Sequence, residues 1–139
     1  SLSYGGPHLE YENMPASEVM EGLNAETLIV MMIETPEAVG NAEDIAAVSG
    51  VDVLLVGGSD LSATMGIPGQ FNNPEFIDAV GKVVDAAVVA SKWPGLGGIY
   101  DESILPGFAK RGMRFFLGGS DLSFILDGGR SRGAFFNNL

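Results

Sequence analysis

At 139 residues, with 46% hydrophobic and 18% charged content, the chain can build one domain with its own core, which excludes an intrinsically disordered segment. It contains no cysteine, so disulfides, thiolate metal sites and a cysteine nucleophile are excluded too. Residues 1–81 carry thirteen acidic side chains and no Lys or Arg, a balance of −13, while residues 82–139 carry seven basic against five acidic, a balance of +2; such a chain is a poor partner for nucleic acid.

In chain order, residues 1–26 read as a mostly polar, irregular connection in which only Ser17–Leu23 has the composition of a short helix. Four apolar runs follow, each succeeded by Gly or an acid, and most by a helix-like segment. The first is Leu28–Ile33. Thr35 then supplies an N-cap and Pro36 a first-turn proline, and apolar residues from Ala38 to Val48 repeat at helical spacing until Gly50. The second run is Val51–Val56, after which Asn73 and Pro74 open a helix with Phe76, Ile77, Val80, Val83, Val84 and Ala87 on one face. The third, Leu96–Tyr100, leads to Asp101, a cap for a helix weakened by Pro106 and Gly107. The fourth is Met113–Leu117. Residues 27–129 thus make four βα units, and residues 130–139, ending in Ala134, Phe135 and Phe136, form an apolar tail suited to packing on a subunit neighbour. The apolar runs are short and interrupted, and no basic segment precedes an apolar one at the start, so the expectation is a soluble, cytoplasmic protein without a membrane span.

Strands apolar on both faces belong to parallel sheets covered on both sides, which leaves a doubly wound sheet or a (β/α) barrel. The segments Val53–Ser62 and Arg114–Ser123 share Gly-Gly-Ser-Asp-Leu-Ser at an offset of 61 residues, about two βα units. In a barrel they would present similar loops from one rim. Convergent use of a strand-to-helix turn explains the repeat as well, because Gly permits the turn and Ser or Asp caps the next helix.

Two acids stand where chemistry is expected. Glu34 follows the run Ile29–Ile33, and Asp60 follows Val53–Val56 by four residues. They are 26 positions apart, about one βα repeat, so parallel neighbouring strands deliver both to the carboxyl rim. Hard oxygen ligands there suit Mg2+ or Mn2+, with water and substrate oxygens completing an octahedron. A helix cap or an ion pair accounts for such a Glu equally well on spacing alone.

The wording of the motifs narrows this. Met31-Met-Ile-Glu-Thr-Pro-Glu-Ala38, Gly50-Val-Asp-Val-Leu-Leu-Val-Gly-Gly-Ser-Asp-Leu-Ser-Ala-Thr-Met-Gly66, Asn73-Pro-Glu75, Pro94-Gly-Leu-Gly-Gly98 and Arg111-Gly-Met-Arg-Phe-Phe-Leu-Gly118 resemble, in order and spacing, consecutive blocks of the HpcH/HpaI aldolase and citrate-lyase-like family, the class II pyruvate aldolases. The resemblance covers roughly residues 25–126 and implies the C-terminal half of a TIM (β/α)8 barrel. It implies that Glu34 and Asp60 bind one divalent metal, and that the backbone amides of Ser59 and Asp60 help hold a substrate carboxylate. The implied reaction cleaves a 4-hydroxy-2-oxo acid to pyruvate and an aldehyde through a metal-bound enolate. Departures are equally plain. The family's His for acid/base chemistry and its substrate-contacting Arg have no counterpart, since the single histidine, His8, matches a variable connection and reads as a surface-loop residue. Met32 stands where many relatives carry Gln. Asp121 in the second copy of the motif reads as an N-cap in preference to a second metal ligand.

Four strands of a closed eight-stranded sheet leave two edges and an uncovered inner face. The open edges call for either a complementary barrel half or further copies of the chain, and the resemblance implies a 2-oxo acid such as pyruvate as the small-molecule partner. Besides the lyase, two readings within the same fold stay open, a non-catalytic metal-binding remnant or assembly subunit and a 2-oxo acid decarboxylase. An unrelated phosphate-binding α/β domain is disfavoured by the lack of a Gly-x-Gly-x-x-Gly fingerprint.

Overall fold

The computed structural model describes residues 15–139, and in them strands and helices alternate. Strands β1 (Val30–Ile33), β2 (Val53–Gly57), β3 (Trp93–Gly97) and β4 (Phe115–Phe116) form one parallel sheet in the order β1-β2-β3-β4. Parallel neighbours need crossovers, supplied by helices α2 (Pro36–Gly40) and α3 (Ala42–Ala47), then α4 (Gly58–Thr64) and α5 (Pro74–Val89), then α6 (Leu105–Lys110). Helix α1 (Ala16–Glu26) precedes the sheet and α7 (Asp121–Asn137) follows it. Strand order runs in sequence without the reversal that defines a doubly wound sheet, so the arrangement is that of a barrel segment. No described helix is long and apolar enough to cross a membrane.

The core lies between the sheet and its outer helices. Leu54 and Val56 of β2 meet Phe76, Val80 and Val83 of α5, all fully buried. Asn73 starts α5 by accepting a hydrogen bond from the Glu75 amide, with Pro74 in the first turn. Alternation sends Val53 and Leu55 to the opposite face of the sheet, toward Gly95 of β3.

Several boundaries differ from the sequence expectation. The short helix read at Ser17–Leu23 runs from Ala16 to Glu26, further into the stretch expected to be irregular, because Ala, Glu, Met and Leu are good helix formers and Val19 finds a buried position. The segment after β1 is two short helices broken at Asn41, whose φ of −99° and ψ of 10° leave the helical range. Strand β3 begins three residues earlier than Leu96, taking in Trp93, Pro94 and Gly95. Pro94 precedes the first β3–β4 pair, Gly95 with Phe115, so its missing N–H removes no ladder bond. Gly95 belongs in the strand because a Cβ there would lie 2.9 Å from Leu55 Cδ1 and 3.0 Å from Val53 Cγ1. Strand β4 keeps only two paired residues of the expected five.

Asp101 does not cap α6. Its carboxylate accepts from the hydroxyl and amide of Ser103 at 2.6 and 2.8 Å, closing the turn that leads directly into the helix, and the hydroxyl bond foremost holds its pKa below the ordinary aspartate value. That turn is therefore at full strength at neutral pH and loosens only as pH falls through the lowered value. The apolar tail from residue 130 is also no separate element, since α7 runs through it to Asn137, with Arg132 stacked 5.3 and 5.1 Å from the ring centroids of Phe135 and Phe136.

Helix α5 ends in a Schellman arrangement. The Lys92 amide donates to Ala87 O at 2.7 Å and the Ser91 amide to Val88 O at 3.0 Å, which forces Ser91 to a φ of 57°. Glycine is the residue suited to that conformation, so Ser91→Gly is expected to raise stability by about 1 kcal/mol. The change should appear as a higher urea midpoint at unchanged m-value.

Candidate metal centre

The β1–β2 register ends with Ile33 opposite Val56, so Glu34 leaves β1 beside Gly57 at the carboxyl rim. Its side chain lies over that glycine: a Cβ on residue 57 would sit 2.7 Å from both Cγ and Oε1 of Glu34. Helix α4 begins directly after Gly57, so Asp60 stands in its first turn. Glu34 is half-buried and Asp60 exposed. Across the next ladder, Gly57 pairs with Gly97, whose own missing Cβ leaves room for Leu117 at 3.0 Å. Two paired glycines therefore lie between a carboxylate and a leucine along one rim of the sheet.

Helix α4 is tied to both neighbouring strand exits. Thr64 Oγ1 donates to the Glu34 carbonyl at 2.7 Å, and Ser59 Oγ donates to the Gly98 carbonyl at 2.8 Å. The chain turns closely at Gly98, where φ is +75° and a Cβ would approach Ser59 N and Oγ to 3.2 Å. At Gly58 a Cβ would meet Ile99 Cγ1 at 2.5 Å, so the first turn of α4 is wedged against the exit of β3. Ser62, fully buried, donates to Ser59 O and accepts from the Gly69 amide, which pins the far side of the same turn. The amides of Ser59 and Asp60 belong to the leading group that a helix leaves without intrahelical acceptors, at the positive end of its dipole.

The donor set suits a hard divalent cation, with Glu34 and Asp60 offering carboxylate oxygens at one rim and the space over Gly57 kept for the Glu34 side chain. Among the described residues no group of three or more His, Cys, Asp or Glu could hold a metal, so this pair would leave most coordination positions to water or substrate. Met32, two residues before Glu34 and half-exposed at 50%, stands on the same face without a polar group to offer. His8 lies outside the described residues.

The second copy of Gly-Gly-Ser-Asp-Leu-Ser folds differently. In α7 the N-cap is Ser120, closed by a reciprocal capping box with Ser123, and Asp121 is the first helical residue, accepting from the Leu122 amide at 2.8 Å. The expected N-cap role of Asp121 therefore belongs to its neighbour. In the first copy the helix starts two positions earlier in the motif, at Gly58, because Gly57 and Gly58 are buried against Glu34 and Ile99 while their counterparts Gly118 and Gly119 are exposed. Leu61 is accordingly buried and Leu122 is 63% exposed.

Sequence reasoning singled out Glu34, Ser59 and Asp60 but passed over Gly57, Gly97 and Thr64, which shape and brace the rim. The glycine doublet and a hydroxyl four residues after Asp60, one helical turn on, were the available signals.

Residues 10–128 match the sequence profile of the family described as HpcH/HpaI aldolase/citrate lyase. The 4-hydroxy-4-methyl-2-oxoglutarate aldolase of Chaetomium globosum is 48% identical over 77 residues, 55% of this chain and 29% of that protein. The 4-hydroxy-2-oxo-heptane-1,7-dioate aldolase of Shigella flexneri is 30% identical over 121 residues, 87% of this chain and 45% of that protein. A crystal structure of an HpcH/HpaI aldolase/citrate lyase family protein from Burkholderia cenocepacia superposes with a TM-score of 0.79 at 24% identity, over 99% of this chain and 52% of that one, a likeness of fold. The chain thus spans less than half the length of these two curated relatives and about half of the solved structure.

Proposed function

This chain belongs to the HpcH/HpaI aldolase/citrate lyase family, and on that premise we propose that it carries the metal-binding half of a cytoplasmic lyase that cleaves a 4-hydroxy-2-oxo acid to pyruvate and an aldehyde. The observation that carries the reading is the Glu34 carboxylate lying over Gly57, at the rim where Asp60 opens α4. In this reading Glu34 and Asp60 hold Mg2+ or Mn2+, whose contribution is Lewis-acid stabilisation of the charge that develops on a substrate oxygen as the carbon–carbon bond breaks.

The chain's own groups then bind and orient. The amides of Ser59 and Asp60 donate to the carboxylate of a 2-oxo acid such as pyruvate, favoured by the positive end of the α4 dipole. The Ser59 hydroxyl is committed to the Gly98 carbonyl, so it braces the turn and moves no proton. Gly57 and Gly97 keep side chains of their own off the rim, where a small substrate must approach. Proton transfer to the leaving group and neutralisation of the substrate's charge are assigned to a complementary half that completes the barrel, since a second copy of this chain would bring no counterpart of the family's His and Arg.

Calorimetric titration with Mn2+, with and without oxalate, tests the assignment. The natural chain is expected to bind the ion and then oxalate, and Glu34→Gln or Asp60→Asn to weaken ion binding by at least about tenfold each. Unchanged affinity in both variants would sink the site. Ion binding that no 2-oxo acid or oxalate adds to would reduce the protein to a metal-binding remnant of the fold. Retro-aldol turnover by the purified, partner-free chain would overturn the need for a completing half.

A further inference from the structure

We infer that Thr64 is a positioning residue that sets the spacing of the two carboxylates, an inference that rests on the metal reading of Glu34 and Asp60. The Thr64 hydroxyl lies 2.7 Å from the Glu34 carbonyl and 3.0 Å from that of Asp60, so one proton donor stands within hydrogen-bonding reach of the backbone of both acids. The remaining acceptor, Leu61 O at 3.0 Å, belongs to its own helix.

A hydroxyl has one proton to donate. Serine and threonine in helices commonly donate it back to the carbonyl one turn earlier, and Asp60 O and Leu61 O are the two carbonyls available for that habit. Here the shortest contact crosses instead to a different element, the end of β1. Among the described residues the Glu34 carbonyl has no other donor. Ile33, the last residue before it, is fully buried, so the strand reaches this point rigidly. Beyond Glu34 the chain turns directly into α2, capped by Thr35. The Thr64 bond therefore fixes the one peptide between a rigid strand and a separately capped helix, and that peptide carries the Glu34 side chain.

The bond also controls the other acid. Thr64 is four residues after Asp60, so the two stand one turn apart on the same side of α4. Anchoring Thr64 to β1 sets the rotation of α4 about its axis, while the Ser59 bond to Gly98 anchors the same helix to β3. With both in place, Asp60 projects at a fixed angle to Glu34. Losing the Thr64 contact leaves α4 held by Ser59, Ser62 and the packing of Gly58 on Ile99, with its hydroxyl bond to the Glu34 backbone gone.

The hydroxyl can be removed without emptying space, because valine keeps the branched shape of threonine. In the natively expressed full chain, Thr64→Val is expected to weaken Mn2+ affinity by about tenfold, in the range of lost support behind metal ligands. It should also broaden the electron paramagnetic resonance signal of the bound ion, since the carboxylates no longer hold one spacing. Thr64→Ser, which keeps the donor, is expected to stay within about twofold of the natural chain. Glu34→Gln and Asp60→Asn are measured alongside. If those two weaken the ion and Thr64→Val does not, the positioning role is overturned while the metal site stands. Equal loss in Thr64→Ser and Thr64→Val, or loss in Thr64→Val accompanied by a lowered melting temperature that Thr64→Ser shares, also overturns it. Indifference of Mn2+ to the two acid substitutions removes the metal reading itself.

Discussion

Replacing Gly57 by alanine is expected to weaken Mn2+ binding about a hundredfold, ~2.7 kcal/mol, while leaving the chain folded. The added methyl would sit 2.7 Å from Cγ and Oε1 of Glu34, far inside the ~3.5 Å optimal separation of non-bonded carbon atoms and well into the repulsive range. One of the two must move. Residue 57 has φ −81° and ψ 88°, which alanine adopts without the cost of a left-handed backbone, and it is tied into the buried strand β2. Glu34, by contrast, can rotate its side chain toward solvent, so the carboxylate leaves the rim and the fold survives. On the proposed reading, the substitution removes the place of a ligand without removing the ligand itself. Calorimetry with Mn2+ and a circular dichroism melt measure both halves of the expectation. Gly57→Ala combined with Glu34→Gln should be no worse than either alone, since both act through one carboxylate. Undiminished affinity in Gly57→Ala would mean that Glu34 binds from another rotamer or does not bind at all.

Phe76→Ala is expected to be the most damaging core substitution, costing about 3–5 kcal/mol in urea unfolding. The ring is fully buried and stacks between Phe71, 5.6 Å away, and Phe108 of α6, 6.2 Å away and edge-on. It joins α5 to the loop before it and to α6, so three segments lose contact when it is cut back. Whole domains are stable by only about 5–15 kcal/mol. A chain that leaves Met32 half-exposed on β1 and buries no residue of α7 has little reserve against such a loss. A cost below about 1 kcal/mol would show that the cavity closes by collapse of Phe71 and Phe108.

The outer-layer core was readable in advance because it depends on periodicity. Phe76, Val80, Val83, Val84 and Ala87 repeat at helical spacing, and the spacing alone turns them to the sheet, whereas Ile77, expected on the same face, is only partly buried and stands outside the core. Strand β3 was misplaced for the opposite reason. Pro94 and Gly95 are strand breakers by propensity, yet Pro94 lies where no ladder bond is owed and Gly95 where no side chain fits. Both facts belong to the neighbouring strands. The same holds for the twin Gly-Gly-Ser-Asp-Leu-Ser segments, identical in sequence and different in helix start, Ser120 capping one and Gly57 preceding the other.

For the candidate site, the separation of Glu34 and Asp60 by one βα repeat put both at neighbouring strand ends, but it was the resemblance of the surrounding motif blocks that singled them out as metal ligands. Nothing in one dimension says that the Glu34 side chain lies over Gly57 or that Thr64 reaches the Glu34 carbonyl across 30 positions.

By itself, then, the amino-acid order determined a parallel α/β arrangement of four strands, the helix faces that cover it, and two acids at one rim, because each of these follows from local spacing repeated along the chain, while the choice of a barrel half over a doubly wound sheet came from the resemblance of whole motif blocks. Only the tertiary structure decided where β3 begins, which copy of the repeated motif opens a helix at its glycines, and which glycine makes room for the Glu34 carboxylate. Those depend on distances between segments far apart in sequence, where a missing Cβ or a single hydroxyl proton selects among backbones that local preference leaves nearly equal in energy.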